Sequence, residues 1–161
     1  KYQGSWDSYA DGADIGGTES FSEEKGAAAS LTFHGTSISW LGCRNNNLGI
    51  ADVRLDGKLV AQGIDLYANA KQYGVVLFRA DDLQAGEHTL EIIATGRKNA
   101  NAINAFVLID AFRDETVVEN AALRLCVVNE WHYLGGWGNY QRTVNRANTS
   151  SGSAHLRLLA D

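Results

Sequence analysis

The chain has 161 residues, the length of one domain that can bury a core without a metal ion or a disulfide. Its 14 basic and 19 acidic residues give a net charge of −5 without a basic stripe, so we expect neither nucleic acid nor a membrane as a partner. No run of about 18 apolar residues is present and the first residues do not resemble a signal peptide, so we expect a soluble chain, mature or excised from a longer one.

From residue 26 onwards, alternating apolar and polar residues predict short β-strands. Residues 31–33 belong to the first strand and Ile38 and Trp40 to the next, with a turn at residues 34–36 between them. We expect Trp40 in the core, because it shares a strand face with Ile38. An Asp-Gly pair between two apolar alternations then predicts a hairpin over residues 50–61.

Further strands follow along the chain. Residues 73–79 are typical of a buried strand, residues 88–95 alternate with Leu90 and Ile92 pointing inward, and residues 105–112 predict one more strand. Short strands at regular spacing, without a sustained helical period, predict an all-β fold. We expect an antiparallel β-sandwich of the jelly-roll kind.

The C-terminal part of the sequence echoes its beginning. The pattern Tyr-x-Gly-x-Trp-x-x-Tyr at residues 2–9 recurs at residues 133–140. We therefore divide the chain into a β-sandwich module over residues 1–114 and a further segment over residues 115–161. Two interpretations of that segment stay open: it adds β-structure packed on the sandwich, or it begins a second repeat.

The two cysteines, Cys43 and Cys126, are far apart in the sequence. Neither belongs to a CxxC motif or has a histidine at ligand spacing, which argues against a zinc or redox site. Two alternatives remain, a disulfide or two buried thiols.

Four segments carry a resemblance to a known family. They read Leu-Thr-Phe-His-Gly-Thr-Ser-Ile-Ser-Trp-Leu-Gly at 31–42, Gly-Ile-Ala-Asp-Val-Arg-Leu-Asp-Gly at 49–57, Gly-Glu-His-Thr-Leu at 86–90 and Val-Leu-Ile-Asp-Ala-Phe at 107–112. In order and spacing they resemble galactose-binding-domain-like modules appended to bacterial glycoside hydrolases and related surface proteins. The resemblance covers roughly residues 2–114. It implies a jelly-roll sandwich, a secreted or cell-surface setting, glycan binding and, often, a structural calcium ion.

Candidate sugar ligands are aromatic and polar side chains in loops, because a flat ring stacks on a pyranose while polar groups bond its hydroxyls. The aromatic candidates, which could instead be structural packing, are Trp6, Tyr9, Trp137 and Tyr140. Three polar loops, at residues 42–49, 65–73 and 97–101, form a site if they cluster at one end of the sandwich. Their candidates, which could instead be ordinary turn residues, are Arg44, Asn45, Asn46, Tyr67, Arg97 and Asn99.

A calcium ion needs about six to eight oxygen donors. The acidic candidates are Asp11, Asp14, Glu19, Glu23 and Asp110. In the resembling modules a calcium site joins an early acidic segment to the aspartate near the end of the last strand. The resemblance therefore nominates Asp110 with Glu19 or Glu23, and the alternative is that these carboxylates cap turns or face water.

The sequence makes a weak case for catalysis. It contains no nucleophile, zinc or phosphate-loop signature. Glu23, Glu24 and Glu130 could supply a pair of glycosidase carboxylates, but a small sandwich leaves little chain for a polymer cleft. A small hydrolase is thus the third hypothesis, after two non-catalytic ones.

The leading hypothesis is a non-catalytic carbohydrate-binding module. It would bind a polysaccharide or oligosaccharide by stacking and loop hydrogen bonds, and so attach a tethered catalytic domain of a secreted polysaccharide-active enzyme to its glycan. The alternative is a structural or adhesion β-sandwich repeat with no sugar ligand. That alternative predicts that Trp6, Trp137 and Tyr140 are buried.

Overall fold

A computed structural model describes the backbone of residues 1–120 and 123–133, and the side chains of residues 1–114. Within these ranges the chain forms β-strands and one short 3₁₀ turn at Ile15–Gly17. The strands are β1 (Tyr2–Gln3), β2 (Asp7–Ala10), β3 (Thr18–Ser22), β4 (Ala28–Gly35), β5 (Ser37–Arg44), β6 (Ile50–Leu55), β7 (Lys58–Asp65), β8 (Gln72–Ala80), β9 (Gly86–Arg97), β10 (Val107–Ile109), β11 (Ala111–Asn120) and β12 (Leu123–Tyr133). The predicted all-β class is confirmed.

The strands form two larger antiparallel sheets and one small one. The first has the order β1-β4-β9-β6-β7, the second β12-β11-β5-β8, and the small sheet β10-β3-β2. Apolar side chains of both larger sheets belong to one buried cluster, as the predicted sandwich requires. Phe33, Val53 and Ile92 come from the first sheet, and Trp40 and Phe112 from the second.

Trp40 is fully buried on β5, as predicted. The β5 strand lies between β11 and β8, so its two edges are both paired and both of its faces are covered. Burying an aromatic side chain of this size stabilises the fold by roughly 2–3 kcal/mol. The core therefore forms around β5.

The predicted Asp-Gly hairpin is confirmed, with β6 and β7 as its two strands. Asp56 and Gly57 both adopt positive φ, 52° and 75°, which is the backbone of a type I′ turn. The Asp56 carboxylate also accepts a hydrogen bond from the Thr89 N–H at 2.8 Å, which ties the turn to β9. Local turn chemistry and tertiary pairing therefore favour the same register.

Two details of the strand prediction are wrong. The segment at residues 73–79 is a strand, but a mostly exposed one, since β8 lies at the edge of its sheet and Tyr73 and Val76 are each 44% exposed. Residues 105–112 form two strands instead of one. The chain leaves the small sheet after β10 and enters the second sheet at β11, with Asp110 between them.

The β11 strand continues past residue 114 and pairs with β12 in an antiparallel hairpin, from Ala111 opposite Tyr133 to Asn120 opposite Leu123. This places β12 at the edge of the second sheet. The division at residue 114 and the second-repeat interpretation stay predictions. No helix in the described part of the chain is long and apolar enough to cross a membrane.

Candidate functional site

The three polar loops lie side by side at one end of the sandwich. The loop after β5 is in the middle: Asn45 N–H donates to the Leu66 carbonyl at 3.1 Å, and Ala68 N–H donates to the Asn45 carbonyl at 3.2 Å. On its other side, Ile103 N–H donates to the Asn46 carbonyl at 2.8 Å. Main-chain hydrogen bonds therefore tie the loop after β5 to both of its neighbours.

Gly49 lies at a close approach between these loops. Its N–H donates to the Phe106 carbonyl at 2.8 Å, and its carbonyl accepts from Leu66 N–H at 3.0 Å. A Cβ atom on residue 49 would lie 2.5 Å from the Ala105 carbonyl oxygen, a distance that backbone atoms cannot relieve without moving. Only glycine fits this position.

Beside these loops is an open pocket with a volume of about 440 Å³. This volume is within the usual range for small-molecule sites, roughly 300–1,000 Å³. Its apolar wall is formed by Phe21, Leu48, Phe106 and Leu108. Its polar side chains are Tyr9, Asp11, Glu19, Asn45, Asn47 and Lys71. Both the small sheet and the loop after β5 contribute to the pocket.

Tyr9 presents the exposed aromatic ring of this pocket. It lies on β2 opposite Glu19 of β3, and 57% of its surface is exposed. On the apolar wall, the rings of Phe21 and Phe106 meet edge to face, with their centroids 5.3 Å apart. The pocket thus combines the exposed ring of Tyr9 with the packed pair of Phe21 and Phe106.

A charged pair lies at the pocket. Lys71 Nζ is 3.0 Å from Asp11 Oδ2, which also accepts a hydrogen bond from the Tyr73 hydroxyl at 2.9 Å. The backbone N–H of Ala13 and the Lys71 ammonium lower the pKa of Asp11 to about 2. Burial lowers the pKa of Lys71, but the hydrogen bond to Asp11 and the charge of Glu19 outweigh it and leave the pKa raised. Both side chains are therefore charged at neutral pH.

Three buried carboxyl groups, those of Asp14, Glu19 and Asp110, are close enough to Lys71 for its charge to act on them. Desolvation, followed by the charge of Asp14, raises the pKa of Glu19 to about 7. Desolvation also raises the pKa of Asp14, and that of Asp110 to about 6, although Ile15 N–H donates to Asp110 Oδ2 at 3.2 Å. Among the described residues, both oxygens of Asp14 and Oδ1 of Asp110 have no hydrogen-bond partner as carboxylates.

Cys43 is a buried free thiol, with Sγ 4.0 Å from Glu19 Oε2. Desolvation and the charge of Glu19 raise the pKa of this thiol to about 12, so it stays neutral. The side chain of Cys126 lies outside the described residues.

Of the carboxylates nominated for calcium, Glu19 and Asp110 are buried close enough for the charge of Asp110 to act on Glu19. Glu23 is exposed in the turn after β3, whereas Glu19 and Asp110 are buried. Unpartnered buried oxygens suit a calcium ion, but the described residues contain no group of three His, Cys, Asp or Glu side chains that could hold a metal. Lys71 Nζ already lies 3.8 Å from Glu19 Oε2. The residues present do not fit the ion, and calcium binding rests on the resemblance alone.

Of the sugar ligands nominated from the sequence, Tyr9 and Asn45 line the pocket together. Arg44 and Asn46 flank Asn45 and are half-buried, but they do not line the pocket. Trp6 is half-buried beside Tyr2, with ring centroids 5.0 Å apart, and its Nε1–H donates to the Gln3 carbonyl at 3.1 Å. Trp6 therefore has a packing role here.

The other nominated loop residues serve local structure. Asn99 donates to Asp65 Oδ2 at 2.7 Å and so joins two of the loops. Arg97 lies 3.4 Å from Asp52, and the Tyr67 hydroxyl donates to Asn69. Two further candidates, Trp137 and Tyr140, lie outside the described residues.

The sequence pattern predicts neither Asp11 nor Lys71 as an individual sugar ligand, and it includes Asn47 only as one of the amides of the polar loop at residues 42–49. Asn47 closes the same run of asparagines as Asn45, and its side-chain oxygen is buried without a partner among the described residues. The sequence nominates Asp11 only as a metal ligand and Lys71 only as part of a polar loop. Nothing local in the sequence shows that the two form an ion pair.

The glutamates considered for catalysis do not form a pair in the described residues. Glu23 is exposed, and Glu24 Oε2 accepts a hydrogen bond from Ser5 N–H at 2.7 Å, as a turn-stabilising residue does. The side chain of Glu130 lies outside the described residues.

No family model matches the chain. Over 92 residues, 57% of this chain, it is 37% identical to the A type blood N-acetyl-alpha-D-galactosamine deacetylase of Flavonifractor plautii. Over 98% of its length it is 30% identical to the A type blood alpha-D-galactosamine galactosaminidase of the same organism. The chain spans only 12% and 14% of these two relatives. It is thus similar to a small part of carbohydrate-active enzymes.

Among solved structures, a Paenibacillus xanthan lyase contains a similar fold. The TM-score is 0.52 at 15% sequence identity, and the match covers 70% of this chain and 12% of the lyase. At this identity the likeness supports the β-sandwich fold alone.

Proposed function

We propose that this chain is a non-catalytic carbohydrate-binding module that attaches a carbohydrate-active enzyme to its glycan. The observation that carries the proposal is one open pocket lined by the exposed Tyr9 and by the polar side chains of Asp11, Asn45 and Lys71. An aromatic face with hydrogen-bonding groups at its edge is the chemistry that a sugar ring requires.

Each part of the pocket has a role in this proposal. The Tyr9 ring stacks on the C–H face of one pyranose, and the apolar wall excludes water from the other side. Asp11 accepts hydrogen bonds from hydroxyl groups, Lys71 donates them, and the Asn45 amide does both. Two opposite charges held 3.0 Å apart suit a pair of neighbouring hydroxyls, one of which donates while the other accepts.

The similarities support an appended role. Both curated relatives act on carbohydrates by name, and this chain matches only a small share of each. A module of this size adds little affinity by itself, but it raises the effective concentration of glycan near a tethered catalytic domain. A secreted or cell-surface setting belongs to the same proposal.

One observation favours the structural or adhesion repeat as the alternative. Trp6 packs against the core and its ring lies tilted beside Tyr2, which agrees with a structural role, but it is half-buried where that alternative predicted a buried side chain. Under the alternative, the pocket beside Tyr9 would bind no sugar.

The test is to titrate the chain with a panel of soluble and insoluble polysaccharides by calorimetry and pull-down. We expect saturable binding that Tyr9→Ala weakens about tenfold or more, the equivalent of roughly 1.4 kcal/mol. Tyr2→Ala is the matched control, because Tyr2 is another exposed tyrosine that does not line the pocket. Equal weakening by both variants would place the site elsewhere, and no binding across the panel would favour the structural repeat.

A further inference from the structure

The pocket has more negative than positive groups. Of the ionisable groups that line it, Asp11 and Glu19 are acids and Lys71 is the base. Two further buried acids, Asp14 and Asp110, are close enough to Glu19 for their charges to act on it. Four carboxyl groups therefore share one ammonium group.

Lys71 does not neutralise this cluster. Its ammonium group is held by Asp11 at 3.0 Å, lies 3.8 Å from Glu19 and sits 4.6 Å from the centroid of the Tyr73 ring. It thus offsets about one negative charge. The other three carboxyl groups lack an ammonium group of their own and carry the remaining negative charge, reduced by the protons that their raised pKa values retain.

Two of these excess carboxyl groups, Asp14 and Asp110, are also buried. Asp14 and Asp110 are only 7% and 3% exposed, and as carboxylates three of their four oxygens have no hydrogen-bond partner among the described residues. A proton on Glu19 or Asp14 allows these two side chains to hydrogen-bond to each other. Buried carboxylates are unfavourable unless a cation or hydrogen-bond donors approach them. Glu19 belongs to this group of carboxyl groups and also lines the pocket. A ligand in the pocket therefore experiences their negative charge.

On the basis of the glycan-binding role proposed above, we infer that the pocket selects sugars with a free ammonium group and discriminates against sugars with a carboxylate. An ammonium group brings a second cation to the four acids and donates hydrogen bonds. An N-acetylated or unsubstituted sugar brings only neutral donors and acceptors. A uronate adds a like charge to a partly desolvated site.

The expected selectivity follows from Coulomb's law. One charge that approaches a partly buried opposite charge changes affinity by roughly tenfold to a hundredfold, and a like charge has the reverse effect. Salt screens exposed charges more than buried ones. The preference should therefore weaken, but not vanish, as ionic strength rises.

The test compares four monosaccharides that share one ring: galactosamine, galactose, N-acetylgalactosamine and galacturonate. Affinities are measured by NMR titration of the full chain in a chelating buffer, so that no divalent cation supplies the positive charge. We expect galactosamine to bind about tenfold more tightly than galactose, N-acetylgalactosamine to match galactose, and galacturonate to bind most weakly.

Two variants assign the selectivity to the named carboxylates. Glu19→Gln and Asp11→Asn should each bring the galactosamine affinity close to that of galactose. Glu91→Gln is the matched control, because it removes the same charge from β9, where Glu91 pairs with Arg54 at 3.3 Å outside the pocket. This control should keep the preference for the ammonium sugar.

The outcomes separate the two proposals. Equal binding of galacturonate and galactosamine, or a preference that both pocket variants retain, overturns the charge selectivity while glycan binding stands. If the polysaccharide panel and all four monosaccharides fail to bind, both proposals are wrong.

Discussion

Glu19 is both a buried residue of the fold and a lining residue of the candidate site. It lies on β3 opposite Tyr9, lines the pocket and is buried beside Asp14. The charged and titratable groups that act on it are Asp14, Asp110, Lys71 and Cys43. Because the pKa of Glu19 is about 7, its carboxyl group gains or loses a proton with small changes in pH near neutrality.

This pKa shift predicts how stability depends on pH. Glu19 and Asp110 have folded-state pKa values of about 7 and 6, above the ordinary values of unfolded carboxyl groups. The folded state therefore binds more protons than the unfolded state in this range, so stability falls as pH rises from about 5 to 8. Asp11, with a pKa of about 2, and Cys43, with one of about 12, stay in one protonation state over that range.

The measurement is thermal unfolding at several pH values. We expect the wild-type midpoint to fall by a few degrees between pH 5 and 8, and Glu19→Gln to fall less, since it carries no ionisable group there. Glu91→Gln should keep the wild-type slope. A flat wild-type profile, or an equal slope in Glu19→Gln, would contradict the assignment.

Among the elements, the loops are fixed by backbone contacts that the sequence pattern does not reveal. The run of asparagines after β5 predicted polar turns, and these turns exist. Which loops lie together depends on hydrogen bonds such as those of Gly49, which join residues far apart in the chain.

Gly49→Ala tests this arrangement. The new Cβ would meet the backbone of Ala105 at 2.5 to 2.7 Å, so the two loops must separate. We expect a loss of about 1–3 kcal/mol in the free energy of unfolding and weaker glycan binding, because the pocket loses its geometry. Denaturant unfolding and calorimetry measure the two effects.

Gly12→Ala is the control for that experiment. A Cβ on residue 12 would meet nothing within 4 Å, so this variant should stay within about 0.5 kcal/mol of wild type. If both variants behave alike, the close approach at Gly49 does not hold the loops together.

Strand prediction succeeded where the signal is local. Alternation identified β4, β5 and β9, and the Asp-Gly pair identified the hairpin of β6 and β7. The prediction failed at β8 because burial depends on position within a sheet, which periodicity does not show. It failed at Asp110 because one apolar run can cross from one sheet to another.

For the whole molecule, the boundary at residue 114 makes a testable prediction. The buried apolar cluster of the described residues runs from Ala27 to Phe112, so a chain of residues 1–114 keeps every member of that cluster. It loses β12 and residues 115–120 of β11, which pair with each other at the edge of the second sheet. We expect this shortened chain to unfold cooperatively, with a midpoint a few degrees lower than that of the full chain.

Circular dichroism during heating measures this prediction, and binding to the polysaccharide panel shows whether the pocket is retained. The full chain under the same conditions is the control. If the shortened chain has no cooperative transition, the segment after residue 114 is part of the first fold.

The sequence by itself determined the all-β class, the Asp-Gly hairpin, the burial of Trp40 and the polar character of the loops. These properties follow from neighbouring residues, because strand alternation and turn conformation are local. Only the tertiary structure brought Tyr9, Asn45 and Lys71 to one pocket. The same structure buried three carboxyl groups around one ammonium, since both the distance between side chains and the cost of a charge depend on what the rest of the chain packs against them.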